Sequence, residues 1–198
     1  MDEQSNGKTY NISLSSSDFD DDIFNDGDGN GDDNGDDNGD DNGNDNGNGN
    51  QDFNNQVDEL INYIQDQKNQ CSDQSYILLG FSEGATVLIN SLNDDRFNDF
   101  EDDVEKVILF GNPYRNTGQS SNVDGFNTDD AIGYLTESVG ENNIDTFWDN
   151  NGKVSDYCIE DDCTCNINCN NFFGDGHYSY NDNNDVVSQT TNEIVNAL

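Results

Sequence analysis

The chain has 198 residues, a length that suits a single folded domain, and a formal net charge of −37 at neutral pH. A surface this negative repels phosphate groups and anionic lipids, so nucleic acid and anionic membranes are not expected partners. No run approaches the roughly 20 apolar residues that a membrane span requires.

The N-terminal quarter differs in composition from the rest. Residues 8–15 (KTYNISLS) favour one strand within a lead-in that covers 1–24. Residues 25–50 consist only of Asp, Asn and Gly, so no apolar side chain is available whose burial would offset the entropy of ordering them. We therefore predict a disordered insertion or linker at 25–52 and a folded domain at 53–198.

From residue 53 onward, helical and strand patterns alternate. Apolar residues recur from Phe53 at i+4, i+7, i+8 and i+11, which predicts an amphipathic helix ending near Lys68. The apolar run YILLGF (76–81) predicts a strand buried on both faces. EGATVLINSL (83–92) returns to helical spacing, and VEKVILFG (104–111) predicts a second buried strand.

The C-terminal part continues the alternation less clearly. Helical fragments are predicted within 128–139, a further strand within 146–158, and a closing helix at 184–198. Helices that alternate with buried strands predict an α/β fold, a three-layer α/β/α sandwich with a central parallel sheet. Because few strands are available for a complete sheet, we expect the N-terminal strand of such a fold to be missing.

A five-residue motif joins the strand at 76–81 to the helix at 83–92. Gly80-Phe81-Ser82-Glu83-Gly84 is G-x-S-x-G, the pattern in which a nucleophilic serine occupies a strained turn and the glycines allow neighbouring backbone to pass close by. The backbone N–H of Glu83, at the helix start, would point at a developing oxyanion. The alternative is an ordinary turn of small residues.

Two further residues complete a candidate triad in the order Ser, Asp, His. His177 is the single histidine of the chain and precedes the closing helix. Among many acids, Asp162 stands out because CIEDDCTC (158–165) encloses it between cysteines, and a Cys158–Cys165 bridge would hold its loop rigid. The alternative is that Asp161 and Asp162 are two more exposed acids.

Four stretches together resemble the cutinase and acetylxylan esterase family of small α/β hydrolases. They are CSDQSYILLGFSEGATVLINSL (71–92), VILFGNPYRN (107–116), CIEDDCTC (158–165) and HYSY (177–180). The resemblance implies a secreted serine esterase with Ser82 as nucleophile, Asp162 as acid and His177 as base. It implies cutin, acetylated xylan or a small ester as substrate, a monomeric protein, and no cofactor or metal.

The chain also departs from the family pattern. Glu83 replaces the glutamine that usually follows the nucleophile. In the family the first strand and its loop supply a Ser or Thr as the second oxyanion donor, and no such segment is found here, since residues 9–19 resemble the family's second strand. A truncated or non-catalytic hydrolase-fold protein is therefore the alternative function. Cys71 lacks its usual N-terminal partner, and Cys163 and Cys169 form a second candidate disulfide.

The cysteines and the N-terminus lead to different expectations about the compartment. Cysteines crowded into 158–169 are typical of an extracellular protein, whereas the first ten residues show no signal peptide. We therefore expect a signal peptide upstream of Met1. The cysteine intervals do not form the paired C-x2-C knuckles of a zinc site, and the acidic run at 26–37 matches only the start of a calcium-binding loop.

Overall fold

The computed structural model describes residues 53–127, 130–169 and 175–198. The candidate strand at 8–15, the Asp/Asn/Gly-rich segment at 25–52 and the calcium-like run at 26–37 lie outside the described residues. The domain boundaries that we place at 24 and 52 therefore stay predictions.

The first three elements follow the predicted order. Helix α1 (Asn54–Gln70) buries the apolar positions of its predicted face, which are Val57, Leu60, Ile61 and Ile64. Strand β1 (Tyr76–Phe81) then leads directly into helix α2 (Glu83–Leu92). The spacing of apolar residues predicts all three elements because each carries its own local periodicity.

The sheet has three parallel strands in the order β1–β2–β3 among the described residues. Strand β2 is Val104–Phe110 and strand β3 is Val154–Tyr157. Phe81 pairs with Phe110, which pairs in turn with Tyr157, so the carboxyl ends of all three strands lie side by side. This edge is where loops carry ligands and catalytic groups in open parallel sheets.

Helices cover the two faces of this sheet. On one face α2 packs so closely on β1 that a Cβ at Gly80 would lie 2.7 Å from Leu88 Cδ1. On the other face, α5 (Asn184–Ala197) places Val186 in a buried cluster with Ile108 and Tyr157. The Asn183 side chain caps α5 by accepting hydrogen bonds from its first N–H groups. The predicted three-layer α/β/α arrangement is confirmed.

One burial prediction is wrong. Strand β1 is not buried on both faces, because Leu79 and Phe81 are 55% and 41% exposed. Among the described residues β1 is one of the two edge strands of the sheet, and α5 packs on β2 rather than across β1. An apolar run therefore indicates a strand but does not show which neighbours cover it.

Other differences concern boundaries. The helical pattern at 128–139 yields the short helix α3 (Tyr134–Ser138), and residues 128–129 lie outside the description. The segment 146–158 opens with helix α4 (Thr146–Asn150) before β3 begins. None of the described helices is both long enough and apolar enough to cross a membrane.

Candidate active site

Ser82 occupies a strained turn between β1 and α2. Its φ of 56° and ψ of −116° make it the one non-glycine residue with a positive φ in the described parts of the chain. Such a conformation costs on the order of 1–3 kcal/mol and is retained mainly at functional sites. The Ser82 N–H donates to Phe110 O at 2.9 Å, which ties the turn to the end of β2.

The two glycines of the motif have different surroundings. A Cβ at Gly80 would lie 2.6 Å from Gly84 O, so only glycine fits there. A Cβ at Gly84 would meet no atom of the described residues within 4 Å. Among those residues, the close backbone approach that the motif predicts is therefore found at Gly80 and not at Gly84.

Asp162 and His177 form a hydrogen-bonded pair. The His177 Nδ1–H donates to Asp162 Oδ1 at 2.9 Å, and the Asp162 side chain has no exposed surface. Thr164 N–H donates to the same carboxylate at 2.8 Å and the Tyr180 hydroxyl at 2.7 Å. Burial alone would raise the pKa of Asp162, but these hydrogen bonds, led by the one from His177, together hold it below its usual value.

Two disulfides fix the loop that carries Asp162. Cys158 bonds to Cys165 and Cys163 to Cys169, with Cα atoms 5.8 Å and 5.2 Å apart. Both predicted bridges are confirmed. Because each of these four sulfur atoms is in a disulfide bond, the cysteines do not offer the thiolate ligands that a zinc site needs. Cys71 is free and exposed.

Two further glycines let the loops of the site approach one another. Gly111 follows β2 with a φ of +60°, and a Cβ there would lie 2.7 Å from Asp162 Oδ2 and 2.8 Å from His177 Cε1. A Cβ at Gly176 would collide with the Asp161 carbonyl group. The sequence does not predict these contacts, because they depend on tertiary structure.

Aromatic rings connect the serine turn to the imidazole. The Phe81 ring stacks on His177 with centroids 4.6 Å apart, so the residue before Ser82 contacts the predicted base. Tyr178, which is 75% exposed, lies on another side of the imidazole with its ring centroid 5.2 Å away. No sequence motif predicts a role for either ring.

A buried ion pair supports the turn after Gly111. Arg115 Nη1 donates to Asp156 O at 2.8 Å and lies 3.2 Å from Asp156 Oδ1. Asn112 Nδ2 donates to the other carboxylate oxygen at 2.7 Å. Burial is the largest influence on Asp156 and raises its pKa, while Arg115 and Asn112 oppose the rise. This network joins the end of β2 to β3 directly behind the candidate site.

An apolar recess of about 400 Å³ opens beside His177, between the end of β1 and helix α5. Phe81, Phe110 and Tyr180 form its wall on the sheet side, and Val186 and Val187 contribute from α5. The imidazole therefore lies between a polar, hydrogen-bonded side that faces Asp162 and an apolar side that faces this recess.

The class of protein follows from these features. A parallel sheet between helical layers, with a serine on a strained strand-to-helix turn, is the architecture of a small α/β hydrolase. The family model for cutinase matches residues 41–197. The chain belongs to the cutinase family, which is a family of carboxylic ester hydrolases.

Several solved structures are similar to this chain. A cutinase-like protein from Cryptococcus sp. is 25% identical, with a TM-score of 0.60, over 71% of this chain and 69% of that one. An acetyl xylan esterase is 17% identical over 71% and 68% of the two chains, with a TM-score of 0.49. Lysin B from Mycobacteriophage D29 is 24% identical over 59% and 48%, with a TM-score of 0.46. Among curated proteins, none is a significant match.

Proposed function

We propose that the chain is a secreted serine esterase in which Ser82 is the nucleophile, His177 the general base and Asp162 the residue that orients the imidazole. The observation that carries this proposal is the hydrogen bond between His177 and the buried Asp162 carboxylate, at the edge of the sheet where Ser82 occupies its strained turn. A serine, a histidine and a carboxylate in these roles are the parts that acyl transfer requires.

The reaction proceeds in two halves. Ser82 Oγ attacks the ester carbonyl while His177 Nε2 accepts the hydroxyl proton, and the same proton then passes to the departing alkoxide. Water attacks the acyl-enzyme in the second half and loses a proton to Nε2. The bond to Ser82 Oγ then breaks, and Oγ takes that proton from the imidazolium as the acid is released. In both halves, the hydrogen bond from His177 Nδ1–H to Asp162 keeps the imidazole in the tautomer whose Nε2 can accept a proton, and it stabilises the imidazolium that forms.

The oxyanion that forms on the carbonyl needs hydrogen-bond donors. Glu83 is the first residue of α2, and the positive end of the helix dipole favours negative charge there. We assign its backbone N–H as one donor. Its carboxylate lies near the Tyr134 hydroxyl, whose pKa is raised by burial first and by this charge second.

Esters of plant polymers, cutin or acetylated xylan, are the substrates that we propose, together with small esters of the same acids. The cutinase-like protein from Cryptococcus sp. supports this choice. The net charge of −37 favours neutral polymers over anionic ones, since like charges repel. The two disulfides support an extracellular location.

Hydrolysis of p-nitrophenyl esters of increasing acyl length tests the proposal. Ser82→Ala should abolish turnover, whereas Ser72→Ala, an exposed serine just before β1, should leave it unchanged. Absence of turnover above the Ser82→Ala background would favour a non-catalytic hydrolase-fold protein instead. Comparing release of acetate from acetylated xylan with cleavage of longer acyl esters then separates the two polymer substrates.

A further inference from the structure

Tyr180 brings a hydroxyl group to the buried side of the Asp162 carboxylate. The hydroxyl donates to Asp162 Oδ2 at 2.7 Å and accepts a hydrogen bond from Ile159 N–H at 3.4 Å. It also lies 3.5 Å from Cys165 Sγ, within the disulfide that closes the Asp162 loop. One hydroxyl therefore contacts the carboxylate, the loop backbone and the disulfide.

The donors to Asp162 are divided between its two oxygens. Oδ1 accepts hydrogen bonds from His177 Nδ1–H and from Thr164 N–H, whereas Oδ2 accepts the one from Tyr180. With both oxygens held, the carboxylate cannot rotate without breaking a hydrogen bond to a buried charged group, which is costly. The Tyr180 contact therefore fixes the oxygen that the imidazole needs.

The ring of Tyr180 is itself held in place by the core. It is 8% exposed and packs against Phe110 and Phe81, with centroids 5.5 Å and 6.1 Å away. Val186 on α5 belongs to the same buried cluster. Because the ring cannot move independently of these neighbours, the position of its hydroxyl is set by the fold.

The hydroxyl keeps its proton and so remains a donor. Burial, the largest cause, and the negative charge of Asp162 both raise the pKa of Tyr180 well above its usual value. The charge of Asp156 also raises the pKa of Tyr180, whereas the hydrogen bond from the Ile159 N–H lowers it.

We propose that Tyr180 is a positioning residue for ester hydrolysis, because its hydroxyl holds Asp162, and through Asp162 the imidazole of His177, in the reactive geometry. The inference rests on the function proposed above. Tyr180 belongs to the HYSY stretch, yet its role follows only from the hydrogen bond to Asp162 Oδ2.

Tyr180→Phe tests the proposal because it removes the hydroxyl and keeps the ring. We expect kcat to fall about tenfold with KM unchanged, as for loss of one hydrogen bond to a charged group. The acid limb of the kcat/KM profile should move to higher pH, since a carboxylate with one donor fewer attracts the protonated imidazole more strongly. Unchanged kcat and an unchanged profile would overturn the proposal.

Tyr157→Phe is the matched control. Tyr157 is fully buried in the same aromatic cluster, but its hydroxyl donates to Glu193 at 2.9 Å instead of Asp162. Tyr157→Phe should leave kcat and the acid limb of the kcat/KM profile unchanged. If both substitutions lowered kcat equally, the effect would come from general loss of packing, and the proposal would be wrong.

A double-mutant comparison tests whether Tyr180 acts on kcat through Asp162 or through some other structural effect. In an Asp162→Asn background, Tyr180→Phe should change kcat by less than about twofold, because the residue through which it acts is already altered. A full tenfold loss in that background would contradict the proposal.

A spectroscopic measurement needs no activity and so distinguishes failure of this inference from failure of the proposed function. His177 is the single histidine of the chain, so histidine-selective ¹⁵N labelling yields the resonances of one imidazole. Its Nδ1–H resonance should shift in Tyr180→Phe and stay in place in Tyr157→Phe. In the unsubstituted protein the Tyr180 hydroxyl proton should exchange slowly with water, and fast exchange would overturn the proposal even if Tyr180→Phe failed to fold.

Discussion

His177 Nδ1 lies 2.9 Å from Asp162 Oδ1, although the two residues belong to different loops. The Asp162 loop is tied by two disulfides, and His177 lies in the short 3₁₀ segment Asp175–Tyr178. A Cβ at Gly176 would collide with the carbonyl of Asp161, so the two loops touch through their backbones. This contact keeps the pair together without a contribution from substrate.

Gly111→Ala should lower kcat/KM strongly while leaving the protein folded. The new Cβ would lie 2.7 Å from Asp162 Oδ2 and 2.8 Å from His177 Cε1, so the pair must move. A displacement of about 1 Å at a catalytic group costs on the order of 10²-fold in rate, and we expect a loss of that size in kcat/KM. Steady-state kinetics with a p-nitrophenyl ester measures it.

Gly118→Ala is the control for backbone strain. Gly118 has a φ of +76°, similar to the +60° of Gly111, but a Cβ there would meet no atom within 4 Å in the described parts of the chain. The positive φ alone should destabilise both variants by about 1–2 kcal/mol, and Gly111→Ala adds the cost of displacing the Asp162–His177 pair. If Gly118→Ala reduced kcat/KM as much as Gly111→Ala, the contact with the Asp162–His177 pair would not be the cause.

The two disulfides should contribute differently to activity and similarly to stability. They close loops of nearly equal length, with sequence separations of 7 and 6, so removal of either should cost about 2–3 kcal/mol in the chain-entropy account. The bridge between Cys158 and Cys165 also contacts the Tyr180 hydroxyl and the backbone of Asp162. Its loss should therefore lower kcat more.

Paired serine substitutions measure this difference. One double variant carries Cys158→Ser and Cys165→Ser, and the other carries Cys163→Ser and Cys169→Ser. Urea unfolding measures the stability of each variant, and ester hydrolysis measures its kcat. Equal losses of kcat in the two double variants would show that the bridges act on Asp162 only by general stabilisation of the loop.

Local patterns predict the elements of this fold but not their neighbours. The boundaries of α2 follow from the glycine motif and from helical spacing, both of which lie within a few residues. The exposure of Leu79 on β1 depends instead on which strand and helix lie beside it, and an apolar run contains no information on that. The order of α4 and β3 within 146–158 is missed because both are short.

The candidate site shows the same division. Asp162 is predicted from two cysteines in its own loop, and the disulfide between them is confirmed. The approach of Gly111 to Asp162 and His177, and the Tyr180 hydrogen bond to Asp162, join residues far apart in the sequence, so they emerge only from packing. The catalytic roles of Ser82, Asp162 and His177 stay predictions for the assays above.

Arg115→Met should destabilise the fold strongly. The Arg115 and Asp156 side chains are 5% and 0% exposed, so the substitution leaves a buried carboxylate without its opposite charge. Breaking such a pair costs about 3–5 kcal/mol, whereas an exposed pair contributes about 0–1 kcal/mol. Arg96, whose side chain is 52% exposed beside Asp94, supplies the control Arg96→Met. Similar urea midpoints for the two variants would contradict this account.

The loss in Arg115→Met should also depend on pH. Burial raises the pKa of Asp156 and Arg115 opposes that rise, so removing Arg115 raises the pKa further. A carboxyl whose pKa is higher in the folded than in the unfolded chain binds more protons when folded, and its penalty shrinks as the pH falls. The difference in unfolding free energy between the variant and the unsubstituted protein should therefore decrease from neutral toward acidic pH.

The stability difference between Asp162→Asn and the unsubstituted protein should also shrink in acid, but because a stabilising charge is lost rather than because a penalty is relieved. The hydrogen bonds that outweigh burial hold the pKa of Asp162 below its usual value, so the folded chain binds its proton less readily than the unfolded chain. The ionised carboxylate then stabilises the fold above the unfolded pKa of about 3.9, and this contribution disappears as the pH falls through the lower, folded pKa. Asparagine has no such proton to bind.

Urea unfolding of both proteins between about pH 6 and pH 2 measures this contribution as the difference between their unfolding free energies. The difference in unfolding free energy should be largest near pH 6 and should shrink below about pH 4. Asp161→Asn, at an exposed neighbouring position, is the matched control for removing one negative charge from the loop. A difference between Asp162→Asn and the unsubstituted protein that stayed constant down to pH 2 would show that the Asp162 carboxylate does not hold its charge through the hydrogen bonds from His177, Tyr180 and Thr164.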